Sequence, residues 1–317
     1  MAQRIYQGGD YLAEGGRVFG RHTVDDAPLE LAVTRANRTL YDPEHVLVPD
    51  SITDACGRFV AFCIDDYPIL GYREPVPVRA VDMGTGSGVF AVSMLDGLKI
   101  PTVKPFEVDI IDASSTALVV AQVNIDKSID YSPRPIEANY LNGDYLDTLS
   151  GLYDYIYFNP PYLEPGHVIT HPEARLAPAE AIYVDESIQE YARIVPYLET
   201  FLTEKGIALI RLPREDAKID QWVLEYMRQH VNARLILIND DNGRLGRILT
   251  IAKTRLPDAV GSYDYWENYL GGDERRARVK SAQIPIYHDN NCEIVLVRKG
   301  PDATLLGGQA IKDAQVS

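Results

Sequence analysis

Cysteine is scarce. The 317-residue chain has three, Cys56, Cys63 and Cys292. An odd, scattered set without metal-ligand spacing argues against a disulfide framework or a zinc knot, and predicts reduced thiols in a cytoplasmic protein. Long apolar runs are missing as well. No stretch approaches the ~18 apolar residues that suggest a membrane span, and the opening "MAQRIYQGGDYLAEGG" lacks the apolar core of a signal peptide. Internal repeats and low-complexity tracts are absent. Positive charge is in short supply: 31 Lys and Arg against 46 Asp and Glu leave a formal charge of −15. A protein that neutralises several phosphates normally carries a basic face. The one clear basic cluster, "RRARVK" at Arg275–Lys280, reads as a solvated face. Nucleic acid is therefore a disfavoured partner and no membrane is expected, whereas a neutral or cationic substrate suits this field.

What is present is an ordinary globular balance, 46% apolar and 24% charged. Residues 1–75 read as an N-terminal extended and helical segment on the substrate side, with short extended candidates "GRVFGRH" and "LELAVTRA" and a helix "SITDACGRFVAFCID". Residues 76–255 then alternate strand and helix: "VRAVD", "GVFAVSMLDGL", "FEVDIID", "SSTALVVAQVNIDKS", "PIEANYL", "YDYIYF", "SIQEYARIVPYLETFL", "GIALIRL" and "IDQWVLEYMRQHV". That alternation predicts an α/β fold with a doubly wound, mostly parallel sheet covered by helices on both faces. "ARLILIN", "RILTIAK" and "CEIVLVR" are further strands, two or more of them forming an antiparallel edge. Residues 256–317 are expected to be a C-terminal extension, an added edge strand or a lid, with a loose tail.

The chemistry collects at the carboxyl ends of these strands, where such sheets bind ligands. "VDMGTGSG" ends an apolar strand on Asp82 and opens a helix through Gly84, Thr85, Gly86 and Gly88. Glycines admit a ligand close to the backbone, and the helix start offers unpaired N–H groups. The spacing is G-x-G-x-G rather than the dinucleotide G-x-G-x-x-G, and Asp82 suits a ligand ammonium. Asp112 ends the next strand and can accept both hydroxyls of a ribose; its structural alternative is a helix N-cap, which Ser114 or Ser115 could also supply. Asp144 and Tyr145 in "NGDYLD" can meet an adenine amine and cover the ring, or can simply form a turn. "FNPPY" follows. Its prolines end the strand, Asn159 and the Pro160 carbonyl can accept the two N–H bonds of an NH₂ group, and Tyr162 can lie over a planar substrate. Two acceptors bias a delocalised nitrogen toward a tetrahedral geometry, and no strong general base is required.

This order of motifs resembles a class I S-adenosylmethionine-dependent methyltransferase, from about Val78 to about Lys253. "NPPY" is similar to the signature of enzymes that methylate planar nitrogens, and the chain is most similar to the peptide-chain-release-factor glutamine methyltransferases. Thr53 and Asp54 in "LVPDSITD" resemble a Thr-Glu pair of that family. The resemblance implies a Rossmann-like seven-stranded sheet and S-adenosylmethionine as cofactor, with S-adenosylhomocysteine as product. Its cofactor set is Asp82, Gly84, Thr85, Gly86, Gly88, Asp112, Asp144, Tyr145 and Asn159, with Asn159, Pro160 and Tyr162 catalytic and no metal. After NPPY the chain departs from the family: Arg175 and Pro178 remain, but Ala177 replaces a Glu and Ser187 a Gly. The methyl acceptor is expected to be a protein, at a glutamine side chain, or a small molecule (amine, amidine or guanidine). A nucleic-acid base and a non-catalytic scaffold are the remaining readings, and the oligomeric state is open. His167 and His171 lie in a Pro- and Gly-rich stretch and read as a substrate-side loop rather than a metal pair. Trp222 and Tyr226 read as core.

Overall fold

The structure, a computed structural model, describes residues 12–14, 17–19, 22–24, 27–29, 32–33, 40–41, 51–65, 78–99, 105–161, 163, 165, 179, 182–184, 187–213, 216–230, 233–240, 245–253, 283–288 and 292–297. Six short strands come first: β1 (Leu12–Glu14), β2 (Arg17–Phe19), β3 (His22–Val24), β4 (Ala27–Leu29), β5 (Ala32–Val33) and β6 (Leu40–Tyr41). They pair antiparallel as β1-β2-β5-β6 and β3-β4. Helix α1 (Ser51–Asp65) follows, then β7 (Val78–Met83), α2 (Val89–Gly97), β8 (Phe106–Asp112), α3 (Ser115–Tyr131), β9 (Ile136–Asn142), α4 (Tyr145–Thr148), β10 (Tyr153–Phe158), α5 (Ser187–Thr200), β11 (Leu202–Leu212), α6 (Ala217–Gln229), β12 (Ala233–Asp240) and β13 (Leu245–Ala252). A hairpin of β14 (Gln283–His288) and β15 (Cys292–Val297) completes the order.

The main sheet runs β14-β15-β12-β13-β11-β10-β7-β8-β9. Strands β7 to β11 pair in parallel, while β13 is antiparallel to both β11 and β12. The expected doubly wound sheet is therefore present, in seven strands from β9 to β12. The β14–β15 hairpin adds two more through antiparallel pairing of β15 with β12. β14 carries Pro285 next to a register shift. A proline withholds a ladder N–H, which an edge strand tolerates, and that is why "QIPIYH" does not read as a strand from sequence.

The central strands are apolar on both sides, as buried parallel strands must be. Ala80, Val108, Ile110, Tyr155, Tyr157, Ile207 and Leu209 face one core with α1, α2 and α3. Val81, Met83, Ile156, Phe158, Ala208 and Ile210 face a second core with α5 and α6. Tyr226 belongs to that second core, and the half-buried Trp222 packs against it. A buried carboxylate braces the sheet: Asp109 on β8 accepts from Arg79 of β7 (2.6 Å), Tyr153 of β10 (2.7 Å) and Asn139 of β9 (2.8 Å). With three donors this buried charge is satisfied.

Helix α1 lies alongside α2 and runs in the same direction. Asp54 accepts from Ser93 of α2, Gly97 approaches Ala61, and Asp65 accepts from the Lys99 amide at 2.5 Å. Contact is closest at Gly57, where a Cβ would stand 2.4 Å from the Phe90 carbonyl oxygen and 2.9 Å from the Met94 nitrogen. Backbone cannot yield as a side chain can. Gly57→Ala is therefore expected to destabilise the fold by about 1–3 kcal/mol, read as a lower urea midpoint with an unchanged slope. A midpoint equal to that of the parent protein would show that the helices separate at no cost.

Candidate active site

The turn after β7 is left-handed three times over, with Gly84, Gly86 and Gly88 at φ of 64°, 55° and 78°. Side chains rarely adopt such angles. Gly88 is also the N-cap of α2 and offers no side-chain cap. The helix compensates through the preceding strand: Asp82 accepts a backbone hydrogen bond from Ala91 in the first turn of α2. Asp82 also accepts from the Thr85 hydroxyl at 2.7 Å, and the Thr85 amide donates to Ile111 of β8 at 3.0 Å. Both donors of Thr85 thus point into the protein rather than toward a ligand. From α3, the buried Asn124 amide donates to the Ser87 carbonyl at 2.7 Å. Its signal in the sequence is a pair of amides, Gln122 and Asn124, within the apolar run "VVAQVNI".

Asp82 is 1% exposed, and burial pushes its carboxyl up to about 7, against the Thr85 and Ala91 hydrogen bonds and with a smaller push from Asp112. Asp112 is raised too, first by burial. Its oxygens accept from the Gly86 amide (2.9 Å) and the Ser114 amide (2.8 Å). Ser114 itself caps α3, so the cap role is filled without the acid. The Asp112 backbone carbonyl accepts from the Gly143 amide at 3.1 Å and the Asn142 side chain at 3.1 Å. The glycine turn and the "NGD" turn are thereby joined through one residue.

Asp144 is exposed and caps the short α4, accepting from Leu146 at 2.9 Å. Tyr145 packs on Phe158, ring centroids 4.9 Å apart, and its hydroxyl donates to Glu190 of α5. Arg193 joins the same pair, 3.0 Å from Glu190. Glu190 and Arg193 carried no mark in the sequence, because their partner lies 45 or more residues away.

β10 brings Asn159 beside the glycine turn, since Tyr157 and Phe158 pair with Asp82 and Met83. The Asn159 side-chain oxygen is buried and has no hydrogen-bond partner among the described residues. Pro160 is buried and Pro161 half-buried. Tyr162, Glu164, His167, His171, Glu173, Arg175, Ala177 and Pro178 lie outside the described residues, as does the side chain of Ser187.

Residues 73–179, the stretch from the strand before the glycine turn to beyond NPPY, match the family model described as "Methyltransferase small domain". A release factor glutamine methyltransferase of Haemophilus influenzae is 26% identical over 143 residues, 44% of this chain and 47% of that one. A ribosomal protein uL3 glutamine methyltransferase of Neisseria gonorrhoeae is 29% identical over 202 residues, 62% of each chain. These matches support a class I S-adenosylmethionine-dependent methyltransferase domain in the stretch they cover. The chain spans about half to three-fifths of the length of these two relatives. A tRNA1(Val) (adenine(37)-N6)-methyltransferase of Shewanella putrefaciens is also similar, 25% identical over 63% of this chain and 79% of that one.

The residues of this turn fit S-adenosylmethionine, the cofactor of such methyltransferase domains. Among the described residues a Cβ on Gly84 or Gly86 would meet nothing within 4 Å, which leaves the turn room for a ligand. Gly88 faces inward, its would-be Cβ 3.1 Å from Ala121. The cofactor's ammonium and sulfonium would favour the ionised form of Asp82. With a folded pKa of about 7, Asp82 is mostly protonated at pH 5.5 and half ionised at 7. Affinity for S-adenosylmethionine should therefore rise with pH over that window, by up to roughly tenfold per unit at the acid end. Titration calorimetry checks this: Asp82→Asn should bind more weakly and lose the dependence, and a flat profile in the unsubstituted protein would refute it. The same group acts oppositely on folding. Because its folded pKa lies above the ordinary 3.8, it weakens the fold as pH climbs from 4 to 7.

Proposed function

We propose that this chain is a cytoplasmic N-methyltransferase that transfers a methyl group from S-adenosylmethionine to the side-chain amide nitrogen of a glutamine in a protein. The observation that carries the reading is the buried oxygen of Asn159 just past β10, which has no hydrogen-bond partner among the described residues. A buried acceptor left without a donor is unfavourable by about 1–3 kcal/mol, and an incoming NH₂ group supplies that donor. The bound cofactor supplies an electrophilic methyl group on sulfur. Asn159 accepts one N–H of the acceptor amide and the Pro160 carbonyl accepts the other, turning the nitrogen lone pair outward. Positioning of this kind accounts for much of the barrier reduction in bimolecular reactions. Asp82 and the α2 amino end hold the amino-acid part of the cofactor, Asp112 its ribose, and Asp144 with Tyr145 its adenine. Tyr162 lies over the planar acceptor.

Glutamine is favoured by the names of the Haemophilus and Neisseria relatives. An adenine amine is the second reading, prompted by the Shewanella relative; the excess of 15 acidic charges weighs against it. An amine, amidine or guanidine metabolite would present the same kind of nitrogen to the same acceptors. Radiolabelled methyl transfer into fractionated host extract separates these readings. Label is expected in the protein pool, stable to nuclease and lost on proteolysis; label confined to RNA or to small molecules would overturn the glutamine assignment. Asn159→Ala should abolish transfer, with at least a hundredfold lower turnover, while calorimetric affinity for the cofactor stays within about twofold. Retained transfer would overturn the role of Asn159.

A further inference from the structure

β10 has three tyrosines, and two of their hydroxyls reach other elements. Near its base, Tyr153 donates to Asp109 of β8 at 2.7 Å. Near its tip, Tyr157 donates to the Thr53 hydroxyl oxygen of α1 at 2.9 Å. Tyr157 is 1% exposed, and its ring lies flat on Phe90 of α2, centroids 4.2 Å apart and planes 6° from parallel. A phenylalanine would fill that stack equally well. The hydroxyl is therefore not demanded by packing, and its burial is made less unfavourable by its hydrogen bond.

Thr53 is a firm partner. It is buried in the first turn of α1. On either side of it, Ile52 sits against Gly246 of β13 and Asp54 is bonded to Ser93 of α2. The tip of β10 needs such a partner. Its strand pairing ends at Phe158, and Asn159 is followed by two prolines, which have no N–H with which to hold the backbone in place. Beyond the prolines the chain is held again at Leu163, which bonds to Ile182 and Val184, and on the strand side Asn159 is anchored by the two side chains before it. Phe158 points to Tyr145 on one face of the sheet, and Tyr157 points to Thr53 and Phe90 on the other.

We propose that Tyr157 is a positioning residue for methyl transfer, whose hydroxyl bond to Thr53 fixes the tip of β10 and so aims the Asn159 side-chain oxygen. The inference rests on the reading of Asn159 as the acceptor of the substrate NH₂. Tyr157→Phe should lower kcat about three- to tenfold, leaving the KM for S-adenosylmethionine and its calorimetric affinity unchanged. Thr53→Val should do the same, the double variant should be no worse than either single one, and Thr53→Ser should restore the rate. A second readout does not depend on turnover: in nuclear magnetic resonance spectra of the cofactor-free protein, Tyr157→Phe should shift the Asn159 side-chain amide signals. Unmoved Asn159 signals, or rate losses that multiply in the double variant, would overturn the positioning role. Absence of methyl transfer by the unsubstituted protein would instead overturn the reading of the site itself.

Discussion

The rim of the sheet depends on one carboxylate. At its three left-handed glycines the turn has no side chains with which to hold itself, and the amides there would otherwise be free to wander. Asp112 prevents this by accepting from the Gly86 amide on one oxygen and the Ser114 amide on the other. Its own carbonyl accepts from Gly143. Three successive strand ends are thus bound to one residue before any ligand arrives, which is the sense in which the site is preorganised. Thr85, Asn124 and the Ala91 amide complete the restraint from β7, α3 and α2. Burial of Asp82 and Asp112 is unfavourable to their charges, and a cation brought close to them would favour the ionised forms.

Much of the fold was readable because it rests on periodicity. Strands buried on both faces read as short apolar runs, helices as longer ones, and their alternation implies parallel pairing. Helix α1 was legible as "SITDACGRFVAFCID", but nothing in that string says that Gly57 is the point where α2 crosses closest. The β14–β15 hairpin was only half legible, since Pro285 hides a strand that is tolerable solely at an edge.

Residues of the candidate site were legible by type and order more than by partner. Asp82, Asp112, Asp144 and Asn159 all stand at the carboxyl ends of β7, β8, β9 and β10 or in the turn that follows each. Thr85 read as a ligand contact, yet its hydroxyl serves Asp82. Asp144 caps α4 while remaining exposed. Partners such as Glu190 for Tyr145 and Thr53 for Tyr157 are far away in sequence, 45 and 104 residues respectively, and local pattern has no access to such separations.

The β14–β15 hairpin carries a consequence for biosynthesis. Chains emerge from the ribosome amino end first, and domains begin to fold as they do so. By the time Asn159 has been made, β7, β8, β9 and β10 and their glycine and acidic turns all exist. The outer edge of β12, by contrast, has no partner until β15 is made, because its pairing with Cys292–Val297 closes a long loop. A nascent chain therefore presents its ligand-facing half early and an unpaired strand late. Pro285 and the irregular register of β14 then leave that edge of the finished sheet a poor template for another strand.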